Sequence, residues 1–467
     1  MPYDFTELGN ADRFIRDQAK DVRYCSKMKT WFYWDGMRWV EDPNETEIVN
    51  KAISTVLAIP QEVQTNPAQK KEILVHAQRS QNYSRIQATV KLARSYKNIQ
   101  IDPDRFDADP WLINCPNGVL DLRRGVLMPH DRNYFMTLCT GVEYQKEAEA
   151  PQFLKFLKEI MNGSEEMVSF LQRIFGYALT GTGVEQCLFF LVGSGSNGKT
   201  TLIETLRKVY GTYARHTPTA TLIRNGMAIR NDLARLRGAR FVTASEISRG
   251  KELDEATTKV LTGEDPVTSR FLFREFFEYR PTFKLFFIAN HTPEIRGNDF
   301  GIWRRILLIP FVVTISGDRV DKSLPMKLAD ELAGIFAWLV QGCLQWQEKG
   351  LGVPAEVKEA TQEYRSQTDI LPQFLKDCCL VDITKKVPSR ELYEAYKSWA
   401  VDNTDEVLTQ KAFGSYLKTA GYKPAKSNGV RYWKGLELKR NDKNNDSSAE
   451  NPKEAISEPN SLFPMTE

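Results

Sequence analysis

One stretch limits what this chain can fold into more than any other. The apolar run Cys187-Leu188-Phe189-Phe190-Leu191-Val192 leads straight into Gly193-Ser194-Gly195-Ser196-Asn197-Gly198-Lys199-Thr200, and residues 201–209 continue with apolar side chains at helical spacing. A strand that turns at once into a helix through a glycine-spaced loop is the setting of a phosphate-binding loop. The glycines let the backbone curl so that successive N–H groups point at phosphate oxygens, and the start of the helix adds its positive end. Lys199 is then placed to reach the β- and γ-phosphates of ATP, and Thr200 to hold Mg²⁺. Gly193, Ser194, Gly195, Ser196, Asn197, Gly198 and Thr201 complete the nucleotide cradle. A chance glycine-rich turn would not bring strand, Lys-Thr pair and helix into register together.

Nucleotide hydrolysis needs an acid on a neighbouring strand. Arg240-Phe241-Val242-Thr243-Ala244-Ser245-Glu246 supplies one at the carboxyl end of an apolar run, where open α/β sheets place their chemistry. Glu246 is the candidate base or water-positioning residue and, with Thr200, a candidate metal ligand. Many ATPases have two adjacent acids here, whereas Ser245 stands in the first position. The next apolar run, 283–289, ends in Asn290, a neutral amide suited to orienting water or touching the γ-phosphate. Trp303-Arg304-Arg305 precedes a fourth run, 306–311. Planar cations beside a strand can reach a phosphate held by a neighbouring subunit, which would require a ring or filament.

At 467 residues the chain suggests roughly three domains. A net charge of +3 leaves room only for local basic patches, so composition does not name a partner. The seven cysteines form no Cys-x-x-Cys pair and only four histidines accompany them, so no zinc site is expected and the thiols read as buried in a reducing cytoplasm. Without a signal pattern or an apolar stretch of about twenty residues, no membrane contact is expected.

Asp35-Gly36 between aromatic runs marks a hairpin whose aromatics read as packing ahead of base stacking. Residues 47–96 are helical in pattern, with Arg79, Arg85, Lys91, Arg94 and Lys97 giving a basic flavour that reads as a solvated face. Residues 114–122 mark a second hairpin. Two amphipathic helices, 153–160 and 167–179, lead into the phosphate-loop strand, and further helices follow at 328–343 and 355–366. Residues 371–438 read as three helices and a hairpin with Asn428-Gly429 at its tip, and the polar tail from 441 as disordered.

In this order and at this spacing the motifs resemble the ring helicases of superfamily 3, in their phage and poxvirus primase-helicase branch. The match runs through the phosphate loop, Ala244-Ser245-Glu246, Lys259-Val260-Leu261-Thr262-Gly263-Glu264-Asp265, Ala289-Asn290 and Trp303-Arg304-Arg305. Upstream it includes Leu8-Gly9-Asn10-Ala11-Asp12-Arg13, Trp34-Asp35-Gly36-Met37-Arg38-Trp39 and Asn117-Gly118-Val119-Leu120-Asp121. The resemblance implies an α/β fold: an AAA+ P-loop ATPase core of the superfamily 3 type with an N-terminal α+β region, a helical collar and a C-terminal winged helix. The expected domains are 1–145, helicase-associated; 146–365, core with collar; 366–440, winged helix; and 441–467, tail.

It further implies a hexameric ring moving 3′ to 5′ on single-stranded DNA and unwinding forks for a phage or other mobile element, in the cytoplasm of a bacterial host. Lys259, Arg270, Arg274 and Lys284 are the residues expected to face DNA around a channel hairpin, with the tip unassigned. Arg304 or Arg305 is the expected trans-acting finger. The winged helix would bind DNA through Gln410, Lys411, Ser415, Lys418, Lys426 and Arg431, or else contact protein. The chain starts at the helicase-associated region, so primer synthesis by this polypeptide is not expected, and a separate primase or an origin-binding loader is left open as a partner. The alternatives are a remodelling or DNA-packaging ATPase, and a DNA-binding initiator whose ATP site, with Ser245 in place of an acid, only switches.

Overall fold

Thr6 accepts a hydrogen bond from the Gly9 N–H and so caps α1 (Glu7–Gln18). The structure, a computed structural model, describes residues 3–223, 231–245, 251–270, 277–290, 292–295, 300–368, 370–403 and 407–439. The expected disordered tail, Glu246 and Arg274 lie outside them. After α1 come the antiparallel strands β1 (Val22–Cys25), β2 (Thr30–Trp34) and β3 (Trp39–Asp42). Their turn is held by the Asp35 carboxylate, which accepts from the N–H groups of Met37 and Arg38. Trp31 and Trp39 are fully buried, so the aromatics of this hairpin serve the core. Helices α2 (Thr46–Ala58), α3 (Lys70–Ser80) and α4 (Tyr83–Ala93) follow, then a second antiparallel sheet of β4 (Leu112–Cys115), β5 (Gly118–Asp121) and β6 (Val126–Met128).

Next come α5 (Pro151–Ile160) and α6 (Glu165–Tyr177), whose apolar faces are buried as the spacing predicts. Glu331 caps α5, its two carboxylate oxygens accepting from Gln152 N at 3.0 Å and Phe153 N at 2.9 Å. The core then alternates strand and helix: β7 (Leu188–Val192), α7 (Lys199–Tyr210), β8 (Ala214–His216), α8 (Asn231–Ala234), β9 (Phe241–Ser245), α9 (Glu255–Thr262), β10 (Val267–Ser269), β11 (Phe277–Tyr279), β12 (Lys284–Ala289), α10 (Phe300–Trp303) and β13 (Ile306–Pro310). Five of these strands form one parallel sheet in the order β13-β7-β12-β9-β8. A parallel sheet covered on both faces needs near-continuous apolar strands, which is why Leu188-Phe189-Phe190-Leu191 shows no alternation and is buried throughout. Strands β10 and β11 stand apart as a hairpin.

Helices α11 (Leu324–Asp330), α12 (Leu332–Lys349) and α13 (Ala355–Thr368) close this unit. The sequence draws a domain boundary at 145, yet the buried residues of β4 and β5 share one apolar core with α5, α6, α7 and α12. Where α6 crosses α12 two glycines face the partner backbone. A Cβ on Gly176 would lie 2.2 Å from Cys343 N, and one on Gly342 2.0 Å from Gln172 O.

The second compact unit begins at Asp369. It holds α14 (Ile370–Cys378), β14 (Cys379–Pro388), α15 (Ser389–Asn403), α16 (Gln410–Thr419), β15 (Pro424–Ser427) and β16 (Val430–Leu438), with an antiparallel sheet in the order β14-β16-β15. Phe374, Tyr396, Phe413 and Trp433 fill its core. Asn428 (φ +47°) and Gly429 (φ +80°) make the tight turn expected between its last two strands.

Alanine in place of a helical glycine ordinarily stabilises by up to about 1 kcal/mol. At Gly342 the sign reverses, because the added methyl meets backbone and must push α6 from α12, a strain of about 1–3 kcal/mol. Gly342→Ala is therefore expected to lower the thermal unfolding midpoint by several degrees in calorimetry; a raised midpoint would contradict the close crossing.

Candidate functional site

The loop between β7 and α7 takes left-handed backbone at Gly195 (φ +102°) and Gly198 (φ +78°). At Gly198 only hydrogen fits, since a Cβ would sit 2.6 Å from Ile160 Cγ2 and 3.0 Å from the Phe156 ring. Helix α5 thus presses on the loop from one side. From the other, Phe311 N donates to Val192 O and Ile315 N to Ser196 O, both at 2.7 Å. Buried Asn197 ties the two sides together: its Nδ2 donates to Phe311 O at 3.3 Å and its Oδ1 accepts from Lys199 Nζ at 2.8 Å. Lys199 Nζ also donates to Gly193 O at 2.8 Å, and the side chain is only 4% exposed. Burial pulls its pKa down to about 8.

A cleft of 560 Å³ opens beside this loop, lined among others by Lys199, Thr200, Thr201, His216, Thr243 and Asn290. Register explains the convergence. Ala289 pairs with Val192, so Asn290 emerges level with Gly193, and Ser245 at the end of β9 pairs with Ile288. Thr200 is exposed to the cleft. Among the described residues no group of three or more His, Cys, Asp or Glu could hold a metal by itself. A single hydroxyl donor fits Mg²⁺ that arrives with nucleotide phosphates, an ion bound by few protein oxygens. His216 and Thr243 were not singled out from the sequence: His216 Nδ1 lies 3.4 Å from Thr243 Oγ1 across β8 and β9. Strand β8 has three residues, too few for its periodicity to be read.

Arg304 and Arg305 sit at the opposite edge of the sheet, where Leu188 N donates to Arg305 O. The five residues of β7 separate that edge from the phosphate loop, roughly 15 Å at strand rise. Gln186 Oε1 accepts from Arg304 Nη2 at 2.7 Å and from Arg305 Nη2 at 3.4 Å, while Arg305 Nη1 donates to Gly301 O. Arg304 is exposed and Arg305 half-buried. Neither can serve the phosphate loop of its own chain.

Lys284 requires a correction. Expected to face DNA, it is 3% exposed, with Nζ donating to the carbonyl and hydroxyl of Thr180 and lying 4.3 Å from the Tyr177 ring centroid. Burial, with Arg240 nearby, pushes its pKa well below the usual lysine value. As the first residue of β12 it is turned inward, and its basic character misled a reading that could not see burial. Arg240, just before β9, is likewise buried and donates to the carbonyls of Pro110, Leu179 and Leu112. Lys259 lies on α9, and Arg270 follows Ser269, the residue of β10 that pairs with Phe277; both are half-buried. Lys411, Lys418, Lys426 and Arg431 are exposed on the second unit.

Three family models match the chain: D5 N terminal like over residues 11–162, a family of unknown function (DUF5906) over 191–305, and Poxvirus D5 protein-like over 366–457. Among named proteins, "Putative helicase L207/L206" of Acanthamoeba polyphaga mimivirus is 26% identical over 87% of this chain and 47% of its own length. "Putative helicase 022R" of Frog virus 3 is 26% identical over 53% of this chain and 28% of its own length. The chain thus spans less than half the length of these relatives. Among solved structures, the NrS-1 C-terminal region in its A form apo structure superposes with a TM-score of 0.51 at 11% identity, covering 93% of this chain and all of that one, which supports the fold.

With its pKa lowered by burial, Lys199 would make the binding of a nucleotide at this loop pH-dependent. A phosphate partner favours the charged amine, so a site part-neutral near pH 8 must take up a proton on binding. Affinity is expected to be full at pH 7 and to fall through pH 8 and above, by up to about tenfold per unit. Calorimetric titration with ATP at pH 8 in buffers of different ionisation enthalpy should show that uptake; heats independent of buffer would exclude it.

Proposed function

We propose, on the premise that the chain belongs to the D5-type primase-helicase family of superfamily 3, that it is an ATP-driven motor unwinding DNA during replication of a viral or other mobile genome. The observation that carries this reading is the meeting of Lys199, Thr200 and Asn290 in one cleft while Arg304 stands exposed at the far edge of the sheet. In the AAA+ reading, ATP phosphates replace Gly193 O and Asn197 Oδ1 as the partners of Lys199, and the N–H groups of 193–201 cradle them. Thr200 and Glu246 would hold Mg²⁺, which when bound offsets phosphate charge. Glu246 accepts the proton of the attacking water and Asn290 orients that water. Arg304 or Arg305 of an adjacent copy supplies the planar cation at the γ-phosphate, which makes a ring, hexameric in the family's pattern, the working form.

Lys259, Arg270 and Arg274, around the β10–β11 hairpin, would grip single-stranded DNA in the channel, with 3′ to 5′ polarity resting on the family resemblance alone. The second unit has the helix and strand order of a winged helix. Lys426 and Arg431 stand opposite each other in register there, a like-charge pair that disfavours folding and suits an anionic partner. With Lys411 and Lys418 they would meet forked DNA or an origin. The relatives named above are viral, and the bacterial host remains an expectation of the sequence. Among the described residues no helix is long and apolar enough to cross a membrane. A switch-like initiator is favoured by Ser245 alone, and a remodeller by no contact of its own.

Arginines acting in trans make a mixing experiment decisive. Lys199→Ala and Arg304→Ala,Arg305→Ala chains are each expected to lose ATP turnover by about 10³-fold or more. Mixed in equal amounts they should regain a sizeable fraction, because a site with intact Lys199 then meets a neighbour with intact arginines. No recovery from mixed oligomers would exclude a trans finger.

A further inference from the structure

Charge is distributed unevenly along the N-terminal region. Residues 1–69 hold eight Lys and Arg against eleven Asp and Glu, whereas residues 70–97 hold seven cations against Glu72 alone. This surplus of six sits in a chain whose net charge is only +3, on α3, α4 and the four residues that follow α4. Two of the seven have partners: Arg85 pairs with Glu7 at 3.3 Å, and Arg94 with Glu45. Lys70, Lys71, Arg79, Lys91 and Lys97 are exposed, and none forms an ion pair among the described residues. A helix face that is merely solvated has no need of so lopsided a charge, which repels itself and gains nothing from its own fold.

Apolar and aromatic side chains stand among these cations. On α3 the buried residues are Ile73, His76, Ala77 and Ser80. Lys71, Leu74, Val75 and Gln78, spaced i, i+3, i+4, i+7, form the outward stripe, with Leu74 43% and Val75 40% exposed. Only Gln81 and Asn82 separate the helices. Asn82 N donates to Arg79 O at 3.3 Å and Arg85 N to Asn82 O at 3.0 Å, so Arg79, Tyr83 and Arg85 cluster at one tight turn. Tyr83 is 77% exposed, and its ring meets no other ring among the described residues. An exposed aromatic in a turn between Arg79, which forms no ion pair among the described residues, and Arg85 offers a flat face on a segment rich in positive charge.

We infer that the α3–α4 hairpin is a second nucleic-acid surface, one that binds single-stranded DNA outside the nucleotide site and apart from the channel hairpin. Lys70, Lys71, Arg79 and Lys91 neutralise phosphates, and Tyr83 stacks on an unpaired base with Leu74 and Val75 beside it. A duplex keeps its bases stacked within and presents Tyr83 with no face, which is why the strand is single. The surface would hold one arm of an opened fork near the ring. It goes beyond the motor reading and stands without it, since binding here needs no ATP.

The test uses the full chain without nucleotide, titrated against a fluorescent oligothymidylate at several salt concentrations. For Lys70→Gln,Lys71→Gln,Arg79→Gln the slope of log affinity against log salt should shrink by about 2, three contacts at roughly 0.7 each, with at least tenfold weaker binding at low salt. Tyr83→Ala should bind about tenfold more weakly with the slope unchanged. DNA-independent ATP turnover should be the same in all, since these exposed residues lie outside the cleft, and that activity doubles as a check on folding. Unaltered affinity and slope in both variants would overturn the inference. So would tighter binding of duplex than of single strand, or equal competition by polyglutamate, which would assign the surface to an acidic protein. Absence of strand displacement by the unmodified chain would sink the motor reading and leave these binding curves untouched.

Discussion

Parallel pairing of β7 with β12 on one side and β13 on the other brings the carboxyl ends of the strands level, and the phosphate loop hangs from that alignment. Val192 opposite both Ala289 and Pro310 places Gly193 beside Asn290 and beside the segment whose Phe311 and Ile315 brace the loop. A one-residue slip of β12 would turn its side chains to the other face and carry Asn290 out of the cleft. The stacked pairs Phe189–Phe286 and Phe190–Phe287, with centroids 4.9 and 5.0 Å apart, one on each face of the sheet, oppose such a slip. Loop, lysine and amide are therefore set by packing made one layer away from any ligand.

The other edge of the same sheet is organised by buried cations. Arg240 and Lys284 begin neighbouring strands, and Lys284 N donates to Arg240 O. Their side chains are satisfied by backbone carbonyls from residues 110–112 and 179–180. Arg237 reaches Pro103 O in the same way. Removing either buried cation would leave several carbonyls without donors, each worth about 1–3 kcal/mol in burial penalty. The segment that leads into β4 is thereby joined to the parallel sheet through donors that meet backbone carbonyls and no carboxylate. Arg304, two residues before β13 on this edge, stays exposed, which the proposed role in trans requires.

Much of this was legible in the sequence. The β7–loop–α7 unit, the Asp35-Gly36 and Asn428-Gly429 turns, and the helices before the phosphate loop all rest on local patterns, and the structure has elements at each. Lys284 was read wrongly because a lysine at the head of an apolar run looks like a surface residue; its burial depends on Thr180 and Tyr177, more than a hundred positions away. His216 in the cleft stayed hidden for the same reason, since three-residue β8 has no period and its place follows from pairing with β9. Asn197 occupied a slot that the loop motif leaves open, and only the fold shows it bridging Lys199 and Phe311. The boundary expected at residue 145 failed to mark a break in packing because β4 and β5 complete the apolar core of the sheet.

The central claim is that ATP turnover at Lys199 drives separation of DNA strands. Strand displacement on a forked duplex with ATP and Mg²⁺, recorded beside ATP hydrolysis with and without single-stranded DNA, tests it most directly. The account predicts displacement and DNA-stimulated hydrolysis by the native chain, both lost in Lys199→Ala. Hydrolysis indifferent to DNA, with the fork intact, would contradict it.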